Sequence, residues 1–373
     1  MESCSLPLEV VDLIIGQLDL AALKACSVVS ASLLPSCRSH LFQHLELRPT
    51  GKASPENWNQ FLSASPHIIP YIRGLEILCQ RSSWVSWDPV LPTLLSKLEH
   101  IEEIEFLGCD FPWLPAALSS AIYNLFRSPS LKRVSLRLCV LPSSCFDLFG
   151  PALDSIALSE ITIEPDVVVC APEKSRPARP RYLMVEGKTV SAVVDWLIPS
   201  SETNDLEDLQ NLCVKYQGDD PEALHAVERL LQCASNLKTL DISLYPAGLQ
   251  STLTICSAPA ICYNQRLREI HLSYFDMDIS SPTNQLPWLG SLLSGMTVHH
   301  AVQKISIDAR HRPCPRAPVV DHSGWANVDA ILARLAPLLD VYIQIGEAYS
   351  SSIAQISSCM PMLSKNGILR VTT

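Results

Sequence analysis

The residue types able to do chemistry are present, but their spacing works against it. His299-His300 and His311-Arg312-Pro313-Cys314 carry metal-binding side chains. Adjacent side chains on a helix or strand diverge, and His311 with Cys314 offers two ligands where zinc takes four, or three plus water. Neither pattern predicts a metal centre. Asp219-Asp220 and Glu102-Glu103 are carboxylate pairs in sequence only. The first reads as the lead-in to a helix and the second as solvent-facing strand positions. No G-x-x-x-x-G-K-[ST] loop, G-x-G-x-x-G fingerprint, G-x-S-x-G elbow or H-E-x-x-H helix occurs. The expectation is therefore a binding protein, with no catalytic residue, cofactor or metal.

Composition agrees with that expectation. Hydrophobic residues make up 47% of the 373, enough for a large core, and the formal charge of −10 disfavours generic phosphate binding, so no nucleic acid is expected. The fourteen cysteines are scattered, with no C-x-x-C pair. The opening Met1-Glu2-Ser3-Cys4 lacks a basic n-region, and Glu9 and Asp12 interrupt the apolar stretch behind it, which predicts no secretory leader. The longest uncharged runs contain Pro, Gly, Asn and Gln and fit a bilayer badly, so no membrane contact is expected. Reduced thiols in the cytoplasm or nucleus follow.

From residue 70 one pattern recurs. Ile72-x-x-Leu75-x-Ile77 returns as Ile101-x-x-Ile104-x-Phe106, Leu131-x-x-Val134-x-Leu136 and Leu153-x-x-Ile156-x-Leu158. Later copies are Leu237-x-x-Leu240-x-Ile242, Leu267-x-x-Ile270-x-Leu272 and Val302-x-x-Ile305-x-Ile307, with degenerate ones expected near Tyr182, Leu206, Asp340–Ile345 and Ile368–Val371. Most steps are near thirty residues. Between copies, 113–126, 223–233, 286–296 and 328–339 carry apolar residues at helical spacing. Cys109-Asp110-Phe111 and Cys139-Val140-Leu141 extend two copies. The pattern resembles the leucine-rich repeat, and its Cys/Asn-x-Leu extension implies that both cysteines are turn residues. That resemblance implies an α/β solenoid over 49–373, a curved parallel sheet backed by helices. Segments 170–181 and 308–318, rich in Pro and Arg, read as surface loops between units.

Residues 1–48 read as three short helices. Pro7 suits a first turn, and Val10, Val11, Ile14, Ile15 and Leu18 form one broad stripe. Asp19 caps a second helix carrying Leu20, Leu23 and Cys26. Pro35 starts a third with Cys37, Leu41, Phe42 and Leu45 on its stripe. Leu6-Pro7-Leu8-Glu9-Val10-Val11, then Ala25-Cys26-Ser27-Val28-Val29 and Leu34-Pro35-Ser36-Cys37-Arg38, resembles the F-box of proteins common in mushroom-forming fungi. Members of that family commonly carry Arg and Trp at the positions of Ala31 and Leu33. The resemblance implies docking to a Skp-type adaptor of a cullin ubiquitin ligase through Leu6, Pro7, Val10, Ile14, Leu33 and Leu34.

In such a ligase this chain would be the substrate receptor. The alternative is a leucine-rich-repeat interaction scaffold without a ligase role. In the repeat motif the apolar positions turn inward and period two sends their neighbours to the other face. The candidate target-binding residues are therefore Glu103, Glu105, Arg133, Arg137, Asp241, Glu269, His271, Lys304 and Asp308. Their mixed charge predicts a protein partner, whose identity the sequence leaves open.

Overall fold

Three short helices open the chain: α1 (Leu8–Ile15), α2 (Leu20–Val29) and α3 (Leu34–Leu41). The Asp19 carboxylate caps α2 by accepting from the Ala22 N–H at 2.7 Å, and Pro35 sits in the first turn of α3. Ile15, Leu23 and Cys37 form a small buried cluster, with Val11, Leu18, Cys26, Leu33 and Leu41 packed around it. The computed structural model describes residues 7–79, 84–164, 178–198, 206–217, 220–245, 258–273, 285–296, 301–309, 322–335, 340–345 and 353–372, with the backbone alone for Leu8 and Tyr245.

The third helix is shorter than its apolar stripe predicts. It stops at Leu41, and His44–Leu47 is a strand, β1. Phe42-x-x-Leu45-x-Leu47 is a further copy of the repeat motif, thirty residues before Ile72. A helical stripe and this motif share a spacing of three, and pairing with the next strand decides between them. Leu45 and Leu47 lie in register with Leu75 and Ile77.

The chain divides into two compact units, Met1–Leu153 with Thr162–Ala178, and Asp154–Ile161 with Arg179–Thr373. In the first, β1, β2 (Gly74–Leu78), β3 (Glu103–Leu107) and β4 (Arg133–Arg137) form a parallel ladder. Equivalent motif positions pair: Leu75 with Ile104, Ile104 with Val134, Phe106 with Leu136. Connections carry α4 (Pro55–Ala64), α5 (Trp84–Trp87), α6 (Leu91–Leu95) and α7 (Ala116–Phe126). Helix α7 starts later than expected, because Phe111–Trp113 makes a 3-10 turn and Pro115 precedes the first full turn. The short strands β5 (Val140–Pro142) and β7 (Thr162–Glu164) pair in parallel beside the main ladder. Phe106, Phe111, Phe126, Phe146 and Phe149 interlock in the core, with ring centroids 5.2–6.1 Å apart.

The second unit repeats the arrangement with β6 (Ser155–Ser159), β8 (Tyr182–Glu186), β9 (Asn211–Gln217), β10 (Thr239–Tyr245), β11 (Glu269–Ser273), β12 (Lys304–Ala309), β13 (Asp340–Ile345) and β14 (Leu369–Thr372). All are parallel and paired in that order. The four degenerate copies are thus strands; two read Pro180-x-x-Leu183-x-Val185 and Leu209-x-x-Leu212-x-Val214. Helices α8 (Val190–Leu197), α9 (Pro221–Cys233), α10 (Leu286–Ser294), α11 (His322–Leu335), α12 (Ile353–Cys359) and α13 (Pro361–Lys365) lie in the connections. Asp220 caps α9, accepting from the Glu222 and Ala223 N–H groups at 3.0 Å each. Asn264 is buried and its amide donates to the carbonyls of Leu231 and Ala234 at 2.9 and 2.8 Å, closing the end of α9.

One turn recurs in both units. The residue after β3 is Gly108 and that after β4 is Leu138, both left-handed; after β6 and β8 stand Glu160 and Gly187, also left-handed. Glycine adopts this conformation without strain, whereas Leu138 and Glu160 hold it at a cost of roughly 1–2 kcal/mol each. The repeat geometry therefore overrides local preference at two of the four positions. Of the Pro/Arg-rich segments, 178–181 and Asp308-Ala309 are described, and Asp308 belongs to β12; the remainder lies outside the described residues. No helix among the described residues is long and apolar enough to cross a membrane.

Candidate functional site

Two surfaces deserve description, the helical head and the strand face turned away from the helices. In the head, α1 buries Ile15 against Leu23 and Cys37 and leaves its other flank bare. Leu13, Val28 and Val29 are 71%, 84% and 83% exposed, and Val10, Ile14 and Leu20 are exposed as well. The broad stripe predicted on α1 is therefore split, because two short neighbouring helices cannot cover all of it. Among the residues expected to hold an adaptor, Pro7, Val10 and Ile14 are exposed and Leu34 is half-buried. Leu33 packs on the head's own core, and Leu6 lies outside the described residues. Leu13, Val28 and Val29 were not among the residues named for adaptor binding, since periodicity cannot tell which flank of a short helix is covered.

On the strands, alternation sorts the motif cleanly. Ile104, Phe106, Val134 and Leu136 are buried, while Glu103, Glu105, Arg133, Ser135 and Arg137 reach the opposite face. Register places Glu103 beside Arg133 and Leu107 beside Arg137. Arg133 forms an ion pair with Glu103, and Arg137 approaches Glu105 at 3.9 Å. Glu102, just before β3, receives Lys132 at 2.7 Å and faces Arg73 at 3.7 Å. The Lys132 hydrogen bond, assisted by the positive charges of Lys132, Arg73 and Arg133, holds the Glu102 carboxyl below the usual carboxylate range against the opposing effect of burial. These three acids and four bases are neighbours of opposite sign across the ladder.

In the second unit the same face is less solvated. Asp241 lies in register with Cys213 on one side and His271 on the other. Burial pushes the Asp241 carboxyl up; His271, a hydrogen bond from the Ser273 hydroxyl at 3.3 Å and Lys215 pull it back, and Asp308 adds to the rise. The Cys213 thiol is pushed up to about 12 by burial and by Asp241, and burial likewise raises the Tyr182 phenol. His271 meets Glu269 at 3.2 Å. Lys215 meets Glu186 at 3.6 Å, and Glu186 also accepts from the Ser159 hydroxyl at 2.8 Å. Farther along, the Tyr342 ring has Lys304 at 5.5 Å and Arg370 at 5.2 Å from its centroid, two cation–π contacts. Sequence reasoning named Lys304 and missed Tyr342 and Arg370: Arg370 sits on a degenerate copy with Asn366 at its first position, whereas Leu338-x-x-Val341-x-Ile343 is a full copy whose period places Tyr342 on the outward face.

The structure thus brings Glu103, Glu105, Arg133 and Arg137 together in one unit. In the other it aligns Asp241, His271, Glu269, Lys304 and Asp308 on neighbouring strands. Cys109 and Cys139 are buried at the strand ends, and the Cys139 thiol donates to the carbonyl of Arg137 at 3.2 Å, in keeping with a turn role. His299, His300, His311 and Cys314 lie outside the described residues. Among the described residues no three His, Cys, Asp and Glu side chains are grouped to hold a metal. The arrangement can form hydrogen bonds and ion pairs with a polar, extended surface. Compared with known proteins, the chain matches no protein-family model and no curated protein.

Proposed function

We propose that this chain is the substrate receptor of a Skp–cullin–F-box-type ubiquitin ligase. The three-helix head would be an F-box that docks on a Skp-type adaptor, and the strand face of a leucine-rich-repeat solenoid would hold a target protein. One observation carries the reading: a helical unit too small for a large core leaves Leu13, Ile14, Val28 and Val29 in solvent. Exposed apolar side chains gathered on so small a unit favour a protein partner. The parallel strands spaced near thirty residues support the repeat assignment, and their polar face supports a protein target. The receptor's contribution to ubiquitin transfer is proximity and orientation of the target, with the bond chemistry left to the ligase.

Co-purification of the full chain with a Skp-type adaptor tests this. The intact chain is expected to capture the adaptor, and Ile14→Asp together with Val28→Asp to lose it. Both positions are exposed, so the thermal midpoint should stay within the range of surface substitutions, about 0.5 kcal/mol each. Failure of the intact chain to capture any Skp-type adaptor overturns the ligase reading and leaves a leucine-rich-repeat interaction scaffold.

A further inference from the structure

Near the end of the second unit two side chains that no binding face uses stand against each other. The Cys359 Sγ lies 2.9 Å from Nδ1 of His322. Cys359 ends α12 and is 6% exposed, whereas His322 opens α11 and is exposed. A second tie fixes the geometry. Asp329, two turns along α11 from His322, accepts from the backbone N–H groups of Met362 and Leu363 at 3.0 and 2.9 Å. The turn Cys359-Met360-Pro361 is thereby held against α11 at both ends, and the thiol keeps its place beside the ring.

We propose that Cys359 and His322 form a peroxide-reactive thiol–imidazole pair, a site of reversible sulfenic acid formation. The sulfur proton passes to Nδ1, giving a thiolate beside an imidazolium. The sulfur attacks one peroxide oxygen, an S–O bond forms and the O–O bond breaks. The departing hydroxide takes the proton from Nδ1 and leaves as water. Sulfur is oxidised to the sulfenic acid, peroxide is reduced, and the imidazole returns neutral. A thiol reductant restores the cysteine.

The other thiols sharpen the inference. Cys139 is pushed up to about 11 and Cys213 to about 12, each chiefly by burial. Cys109 is driven well up by the hydrogen bond with Cys79 and by burial. Burial is shared by Cys359, so what sets that thiol apart is the imidazole at 2.9 Å, since the thiolate is the nucleophile. Exposure alone does not replace a proton acceptor, so exposed Cys262 serves as the solvent-accessible reference.

The test uses the full chain, fully reduced and then freed of reductant, with one equivalent of hydrogen peroxide. A dimedone probe traps sulfenic acid, and peptide mass spectrometry reads each site with time. Cys359 is expected to be trapped at least about tenfold faster than Cys139 and Cys213, and His322→Asn to slow Cys359 by about tenfold while leaving the Cys262 rate unchanged. Trapping of Cys359 no faster than Cys139 overturns the proposal, as does a Cys359 rate indifferent to His322→Asn. The ranking within the unaltered chain is decisive even if the variant does not fold.

Discussion

In the first unit five phenylalanines interlock behind the strands, and the charges on the other face pair openly with one another in solvent. In the second unit the corresponding layer is filled by Leu, Ile and Val with Trp288 and Trp325, while several polar groups are buried or half-buried: Asn264, Asp329, Asp241 and the Glu186–Lys215 pair. The same strand–helix unit is therefore stabilised in two ways. One concentrates packing in a few aromatic contacts and leaves its charges cheap to alter. The other spreads packing over many aliphatic contacts and makes polar groups close the ends of elements.

The largest effect should come from breaking the aromatic cluster at its centre. Phe126 meets Phe106, Phe111 and Phe149, so Phe126→Ala is expected to cost about 3–5 kcal/mol. Leu230→Ala, in the buried stripe of α9, should cost about 2–3 kcal/mol, toward the lower end for such deletions. Amide hydrogen exchange of β3 and β4, and of β9 and β10, reads the two losses locally. A larger loss at Leu230 would end the claim that the first core is the more concentrated.

Next in size is Asp329→Ala. The carboxylate is buried and binds two N–H groups at the start of α13. Its removal strands both donors, at about 2–3 kcal/mol in total. The loss should appear as faster exchange across α13 and β14, with β1–β4 unaffected. Unchanged exchange at Met362 and Leu363 would show that water replaces the carboxylate and that the group is not structural.

How much of this was legible depends on what each residue faces. The strands at Ile72, Ile101 and Leu131 could be read because their motif positions are fully apolar and their neighbours charged. The strand at His44–Leu47 was hidden because Phe42 and Leu45 also complete a helical stripe with Cys37 and Leu41. The β9 strand was blurred by Cys213, an apolar residue on its outward face. On the head, composition gave the helices but not their uncovered flank. The Cys359–His322 contact joins residues 37 apart through helix packing, for which no local pattern exists. The outward set on β3 and β4 was legible but for Leu107, an apolar residue at an outward position, since period two leaves no freedom once the inward residues are known.

The two faces also differ in how they answer pH. The Asp241 carboxyl is raised by burial. A raised carboxyl favours folding below the usual carboxylate range, and this contribution is lost as pH rises through the raised value. At neutral pH the charged Asp241 is thus a cost, and Asp241→Asn, which keeps an oxygen for the Ser273 hydroxyl, should raise the thermal midpoint. The gain should vanish in acid. Glu102 is lowered, chiefly by Lys132, so its contribution is present above the carboxylate range and lost as pH falls. Glu102→Gln should lower the midpoint at neutral pH and have no effect in acid. Parallel behaviour of the two variants would mean that the faces are equally solvated.

The smallest effect on stability, and the one most informative about function, belongs to Arg133 and Arg137. Both are more than half exposed and pair with Glu103 and Glu105. Exposed pairs contribute about 0.2–1 kcal/mol each, so Arg133→Gln with Arg137→Gln should move the thermal midpoint little. A partner that uses this face meets the same guanidinium groups with part of their water removed, where each charge-assisted hydrogen bond is stronger. Proteins co-purifying with the chain, quantified by mass spectrometry, should then diminish several-fold for the double variant, a loss of about 1 kcal/mol or more. Glu269→Gln asks the same of the second unit, where His271 holds the carboxylate at 3.2 Å. Loss with the arginine variant alone assigns target reading to the exposed, self-paired face of the first unit. Loss with Glu269→Gln alone assigns it to the second. Undiminished capture by both variants removes the strand face as the target site, because neither substitution leaves a fold defect to obscure the result.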